Sequence, residues 1–83
     1  VRGDKRIAAR LWKLSRDHGA PCKRGVLIEF ELSITLLAEL LGSKRETVSR
    51  QVKLLSEHGL VIFERGRFII PDRDKLLEYF SAP

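Results

Sequence analysis

The 83-residue sequence predicts an α+β domain: a three-helix core with a small antiparallel sheet and a short C-terminal helix. Three observations lead there. The apolar period alternates along the chain between helical three-and-four steps and strand-like twos. Two helical stripes meet at a lone glycine, Gly42, with no room between them for a long loop. Two β-rich runs, residues 60–64 and 67–70, are separated only by Arg65-Gly66, the signature of a tight hairpin.

The elements follow in order. Ile7, Ala8, Leu11, Leu14 and Ser15 recur at helical steps. Asp4 stands where a side chain caps the first free amides, and Gly19 is placed to stop this helix after His18. Trp12 flanks the stripe and is expected to pack. Residues 20–25 read as a loop. Over residues 26–32 the period becomes two, with Ile28, Phe30 and Leu32 alternating with Leu27, Glu29 and Glu31, a strand with one polar face. No base or nucleophile accompanies Glu29 and Glu31, so they read as that face and not as paired catalytic carboxylates.

Ser33 caps a second helix over residues 34–41, whose stripe is Ile34, Leu37, Ala38 and Leu41, and Gly42 ends it. Ser43-Lys44-Arg45-Glu46 has the S-x-x-E spacing of a capping box, so a third helix follows at once over residues 44–58. Gly59 supplies its left-handed stop. After the hairpin, Pro71 and Asp72 open a last helix in which Leu76, Leu77, Tyr79 and Phe80 close the core. Two helices joined by a glycine turn and followed by a two-stranded hairpin make a winged helix-turn-helix. The first helix is its third wall, and the strand at 26–32 pairs beside the hairpin.

About 43% of positions are apolar and 33% charged, the balance of a folded globular chain. A domain of this size buries roughly 60–65% of its unfolded surface, too little for a core and a deep substrate pocket together. No apolar run approaches the roughly 20 residues of a membrane span, and no secretory pattern opens the chain. An enzyme or a membrane protein is therefore not expected. Sixteen Lys and Arg oppose eleven Asp and Glu, for a net charge of +5. The excess is concentrated: residues 1–24 carry eight bases and two acids, whereas residues 25–43 carry three acids and no base. Such local basic density points to a polyanionic partner. A single cysteine, Cys22, forbids an internal disulfide and fits a reducing cytoplasmic setting. The chain holds no methionine and begins at Val1, as expected of a piece of a longer protein.

The third helix carries the functional signal. At about 100° per residue from Arg45, Ser49 falls near 40°, Lys53 near 80°, Glu46 near 100° and Arg50 near 140°. Val48, Val52 and Leu55 fall at about 280–340°. One face is core, and the adjoining face carries side chains that read base edges or grip phosphates. Arginine bonds bidentately to guanine, glutamate accepts from cytosine N4, and serine and lysine suit bases or backbone. Glu46 and Arg50 are four apart, so the carboxylate is placed to steer the guanidinium. An ordinary solvated helix face is the competing reading. The glycine turn before the helix and the basic hairpin after it favour recognition.

The stretch from Leu32 to Leu55, and above all Arg45-Glu46-Thr47-Val48-Ser49-Arg50, closely resembles the DNA-binding segment of the CRP/FNR family of bacterial regulators. The likeness continues through Gly59-Leu60-Val61, the wing Arg65-Gly66-Arg67 and residues 72–77, and reaches back to Arg6-Ile7-Ala8. It implies that residues 1–83 are the winged-helix DNA-binding domain of a longer homodimeric transcription factor. The missing half would hold a sensor domain, for a cyclic nucleotide or another ligand, and a dimerisation helix. The implied partners are a palindromic double-stranded operator with TGTGA- or TTGA-like half-sites and RNA polymerase. By the same likeness Arg45, Glu46, Ser49 and Arg50 match base-reading positions, and Ser33, Thr47 and Lys53 match phosphate contacts. Arg65 and Arg67 flank the wing tip and are expected to bind phosphate as well. Lys44 departs from the family, where many members place a small capping residue. Ser43 is therefore expected to cap, shifting the helix start by one residue.

His18 and His58 lie in last turns of helices, where a positive charge meets the negative helix end, and a metal would need further ligands. Cys22 reads as a loop thiol, with a redox switch as the alternative. Besides sequence-specific DNA binding, a winged helix used only for protein interaction stays open. That use would place leucines and aromatics outward on the third helix.

Overall fold

The computed structural model describes residues 3–81. Four helices, α1 (Gly3–His18), α2 (Ile34–Leu41), α3 (Arg45–Glu57) and α4 (Arg73–Ser81), pack on one antiparallel sheet of β1 (Gly19–Cys22), β2 (Gly25–Ile28), β3 (Ile62–Glu64) and β4 (Arg67–Ile70). The strand order is β1-β2-β4-β3. The wing is the β3–β4 hairpin, with Phe63 opposite Phe68 and Glu64 opposite Arg67. Its two turn residues, Arg65 and Gly66, have φ of 55° and 76°. Positive φ at both central positions is what a two-residue type I′ turn requires, and its twist matches that of the flanking strands.

Two expectations about the sheet are corrected. The loop at 20–25 is instead a hairpin, in which Ala20 pairs with Leu27 and Cys22 with Gly25. As expected, α1 ends at His18, and the Gly19 that follows it is the first residue of β1. A β-carbon there would collide with the Ser15 carbonyl oxygen and the Val26 side chain, so the close approach of helix and strand selects glycine. The strand expected over 26–32 ends at Ile28. Beyond it the chain leaves the sheet but stays pinned: the Glu29 amide donates to the His18 carbonyl at 2.9 Å and the Leu32 amide to the Gly66 carbonyl at 2.7 Å.

Both helices of the helix-turn-helix end alike. At α2 the Gly42 amide donates to the Glu39 carbonyl and the Ser43 amide to the Ala38 carbonyl, with Gly42 at φ 65°. At α3 the Gly59 amide donates to Ser56 and the Leu60 amide to Leu55. These paired 6→1 and 5→2 bonds are Schellman closures, which need a left-handed residue at their turn. Ser43 is thereby engaged in closing α2. The N-cap of α3 falls on Lys44, whose side chain makes no capping bond, so the expected Ser43 cap and the shifted start do not occur. Ser33 does cap α2, its Oγ accepting from the Leu36 amide at 3.0 Å. Asp72 caps α4 through bonds from the amides of Asp74 and Lys75. At α1 the helix already includes Gly3, so Asp4 lies within its first turn, and the Asp4 side chain is outside the described residues.

The core joins Ile7, Ala8 and Leu11 of α1 to Leu37, Ala38 and Leu41 of α2 and Val48, Val52 and Leu55 of α3. Ile28, Phe68 and Ile70 cover it from the sheet and Leu76 from α4. Trp12 packs edge-on against Phe80 at 6.1 Å, with the guanidinium carbons of Arg16 and Arg73 each 5.4 Å from its ring centre. Leu77 is 36% exposed and does not help to close the core, unlike Leu76.

Candidate nucleic-acid interface

The division of α3 is as its periodicity predicts. Val48, Val52 and Leu55 are buried, whereas Arg45, Glu46, Ser49, Arg50 and Lys53 are exposed and Thr47 is half-buried at the boundary. Four side chains able to address bases and one able to address phosphate therefore share the outward side of one helix. The inward side fixes that helix against α1 and α2. The two exposed leucines nearby, Leu36 and Leu40, belong to α2 and not to the outer face of α3.

Arg45, the first residue of α3, is held: its Nε–H donates to Thr35 Oγ1 at 3.2 Å. Arg50 is not. The expected Glu46–Arg50 pair is absent from the ion pairs of the described residues. Both side chains are exposed, where such a pair gains little against solvent and side-chain entropy.

The expected phosphate contacts divide into three places. Ser33 caps α2 with its Oγ as acceptor, which leaves its O–H proton to donate outward. Thr47 and Lys53 lie on α3. Arg65 occupies the wing tip and is exposed. Arg67 sits behind the tip, half-buried, and one guanidinium NH₂ donates to the Glu29 carbonyl at 3.0 Å. Arg67 thus ties the wing to the segment leaving β2.

Sequence reasoning missed three polar side chains here. Thr35 is one, the partner of Arg45. Arg6 of α1 donates to the Leu41 carbonyl at the end of α2, beside the turn into α3. Arg24, in the β1–β2 turn, reaches across the sheet to Glu64 of the wing at 2.7 Å. A hydrogen bond from Arg24 and its charge hold the Glu64 carboxyl below the usual carboxylate range. A polar residue in an otherwise leucine-rich helix was the one signal for Thr35, and nothing in spacing marked the other two.

His18 faces the Phe30 ring at 5.5 Å and His58 the Tyr79 ring at 6.3 Å, and Cys22 is exposed. Among the described residues no three His, Cys, Asp or Glu side chains come together as metal ligands would. No helix of the described residues is long and apolar enough to cross a membrane.

A sequence profile for the Crp-like helix-turn-helix domain matches residues 5–79. The global nitrogen regulator of Synechococcus elongatus is 34% identical over 76 residues, covering 92% of this chain and 34% of that protein. The global nitrogen regulator of a Nostoc species is 34% identical over 65 residues, covering 78% of this chain and 29% of the relative. This chain thus spans about a third of the length of these relatives. Among solved structures, a CRP/FNR-family transcriptional regulator from Thermus thermophilus superposes with a TM-score of 0.85 at 27% identity, covering 98% of this chain and 41% of that one. The CO-dependent transcription factor CooA from Carboxydothermus hydrogenoformans gives 0.84 at 26% identity, covering 94% and 36%.

Proposed function

The chain belongs to the CRP/FNR family as a Crp-like helix-turn-helix domain, and from that premise we propose that it binds double-stranded DNA sequence-specifically to regulate transcription. The observation that carries this reading is the outward face of α3, where Arg45, Glu46, Ser49 and Arg50 stand together over a buried Val48-Val52-Leu55 face. A helix of this build enters the major groove. Arg45 and Arg50 each present paired donors to guanine O6 and N7, Glu46 accepts from cytosine N4, and Ser49 contacts a thymine. Ser33, Thr47, Lys53, Arg65 and Arg67 grip the phosphates on either side and set the register.

The half-site is TGTGA- or TTGA-like. Its guanine and cytosine content follows from the side chains, and the TGA core from the family likeness. Residues 1–83 are one domain of a longer cytoplasmic regulator that acts as a homodimer, with RNA polymerase as a further partner. A role in protein interaction alone is disfavoured because the exposed leucines lie on α2 and the face of α3 is polar.

The test is selection from random duplexes by a tethered pair of the 83-residue chains. Enrichment of TGA-containing inverted repeats, with salt-sensitive affinity, supports the reading. Enriched sites without any TGA-like half would sink the half-site, and salt-insensitive or absent binding would sink the function.

A further inference from the structure

Arg45 and Arg50 differ before DNA arrives. Arg45 donates through Nε–H to Thr35 Oγ1 at 3.2 Å, whereas no hydrogen bond or ion pair among the described residues holds Arg50. Thr35 belongs to none of the residues assigned above to bases or phosphates. We propose that Thr35 is a positioning residue that sets the Arg45 guanidinium for base reading, an inference that rests on Arg45 being a base reader.

The chemistry of the group makes the choice of nitrogen matter. A guanidinium presents five N–H groups in a rigid planar fork. Engaging Nε–H from behind fixes the plane of that fork and leaves the two terminal nitrogens to bond guanine O6 and N7 together. A tether through a terminal nitrogen would occupy a donor that the base needs.

The anchor itself is stiff. Thr35 is β-branched and helical, so its χ1 is confined to two main rotamers, and its hydroxyl sits on a short side chain close to the helix backbone. Its helix is locked to α3 by Leu37, Ala38 and Leu41 packing with Val48 and Val52, and by the Schellman closure at Gly42. Among the described residues the bond to Thr35 is the one side-chain hydrogen bond of Arg45, and no ion pair engages it. The long arginine side chain would otherwise sample many rotamers and lose that freedom on binding. Arg45 is therefore ordered by the protein and Arg50 by the DNA.

The test compares Thr35→Val, which keeps the shape and removes the acceptor, with Thr35→Ser, which keeps the hydroxyl. The probes are the duplex enriched by the wild-type chain in the selection above and its single-base variants. Arg45→Ala identifies the base pair that Arg45 reads. Thr35→Val should lose about fivefold discrimination at that pair, the worth of one ordinary hydrogen bond, with discrimination elsewhere and the salt slope unchanged. Thr35→Ser should keep most of it. In the free chain, the Arg45 Nε–H resonance should be protected from water exchange in wild type and Thr35→Ser and lose that protection in Thr35→Val. Wild-type discrimination in Thr35→Val, or equal weakening on every duplex, would overturn the proposal while leaving DNA recognition intact. If the selection enriches no duplex, recognition itself fails and this inference falls with it.

Discussion

Arg50 and Glu46 are exposed on α3 and, among the described residues, form no ion pair with each other, so their free energy of interaction is available to a ligand. Replacing either by alanine should cost about 1–3 kcal/mol on the preferred duplex and relax preference at one base pair. Because no ion pair couples them, the double variant should lose about the sum of the two, which a double-mutant cycle on the same duplex measures. A strongly sub-additive result would mean that each orients the other on DNA. Elsewhere at this scale, Arg24 lowers the pKa of Glu64 first by a hydrogen bond and then by its charge. A carboxyl depressed in the folded state stabilises it above the unfolded pKa, and that contribution is lost as pH falls through the folded value. Both groups are exposed, so the effect on stability is small. The NMR titration midpoint of Glu64 should lie below that of an ordinary glutamate, and Arg24→Ala should return it. An unmoved midpoint in that variant would remove the pair.

Between elements, the wing and the recognition helix hold cations of different kinds. Lys53 is exposed on α3, and no hydrogen bond or ion pair among the described residues engages it. Arg67 is committed to the Glu29 carbonyl. Lys53→Ala should weaken all duplexes alike and lower the salt slope by about 1, as for one lost phosphate contact, with unchanged melting temperature. Arg67→Ala should weaken binding in the same sequence-independent way and also lower the melting temperature, since it frees the wing from the chain beyond β2. Unaltered stability of Arg67→Ala would show that bond to be incidental. The same elements show what the sequence makes legible. The face of α3 could be read because one amphipathic helix carries it, and the wing because Arg65-Gly66 is a turn signal. β1 could not: Gly19-Ala20-Pro21-Cys22 has no alternation, and it is a strand only because β2 offers an edge, where a proline is tolerated. The cap at Ser43 failed because Ser43 closes α2 through its amide and the chain takes one more residue, Lys44, as the N-cap before α3 begins at Arg45. Thr35 lay hidden because its contact crosses from one helix to another, which periodicity within a helix does not report.

At the scale of the whole molecule, one copy of this domain presents one α3, and on the proposed reading it addresses one half-site. Among the described residues the large exposed apolar side chains are Phe30, Leu36, Leu40 and Leu77, each 36–48% exposed and distributed over three segments. That is less than the broad apolar surface of an obligate dimer, and a net charge of +5 adds repulsion between copies. The 83-residue chain should therefore sediment as a monomer or weak dimer at micromolar concentration and bind a single half-site feebly. Tethering two copies turns the second binding step into an intramolecular one, so a palindrome should bind about 10²–10⁴-fold more tightly than one half-site. Geometry restricts that gain. Two helix-turn-helix units related by a dyad reach successive major grooves on one side of the duplex, so half-sites should lie about 10 base pairs apart, as in dimeric helix-turn-helix proteins generally, the cyclic-AMP receptor protein among them. Inserting about 5 base pairs between the half-sites turns the second onto the opposite side of the duplex, half a helical turn away. The tethered pair should then bind no better than to a single half-site. Equal affinity for both spacings would mean that a flexible tether, and not the two-fold arrangement of the recognition helices, carries the gain, and a tight dimer of the untethered chain in sedimentation would place a dimer interface within these 83 residues.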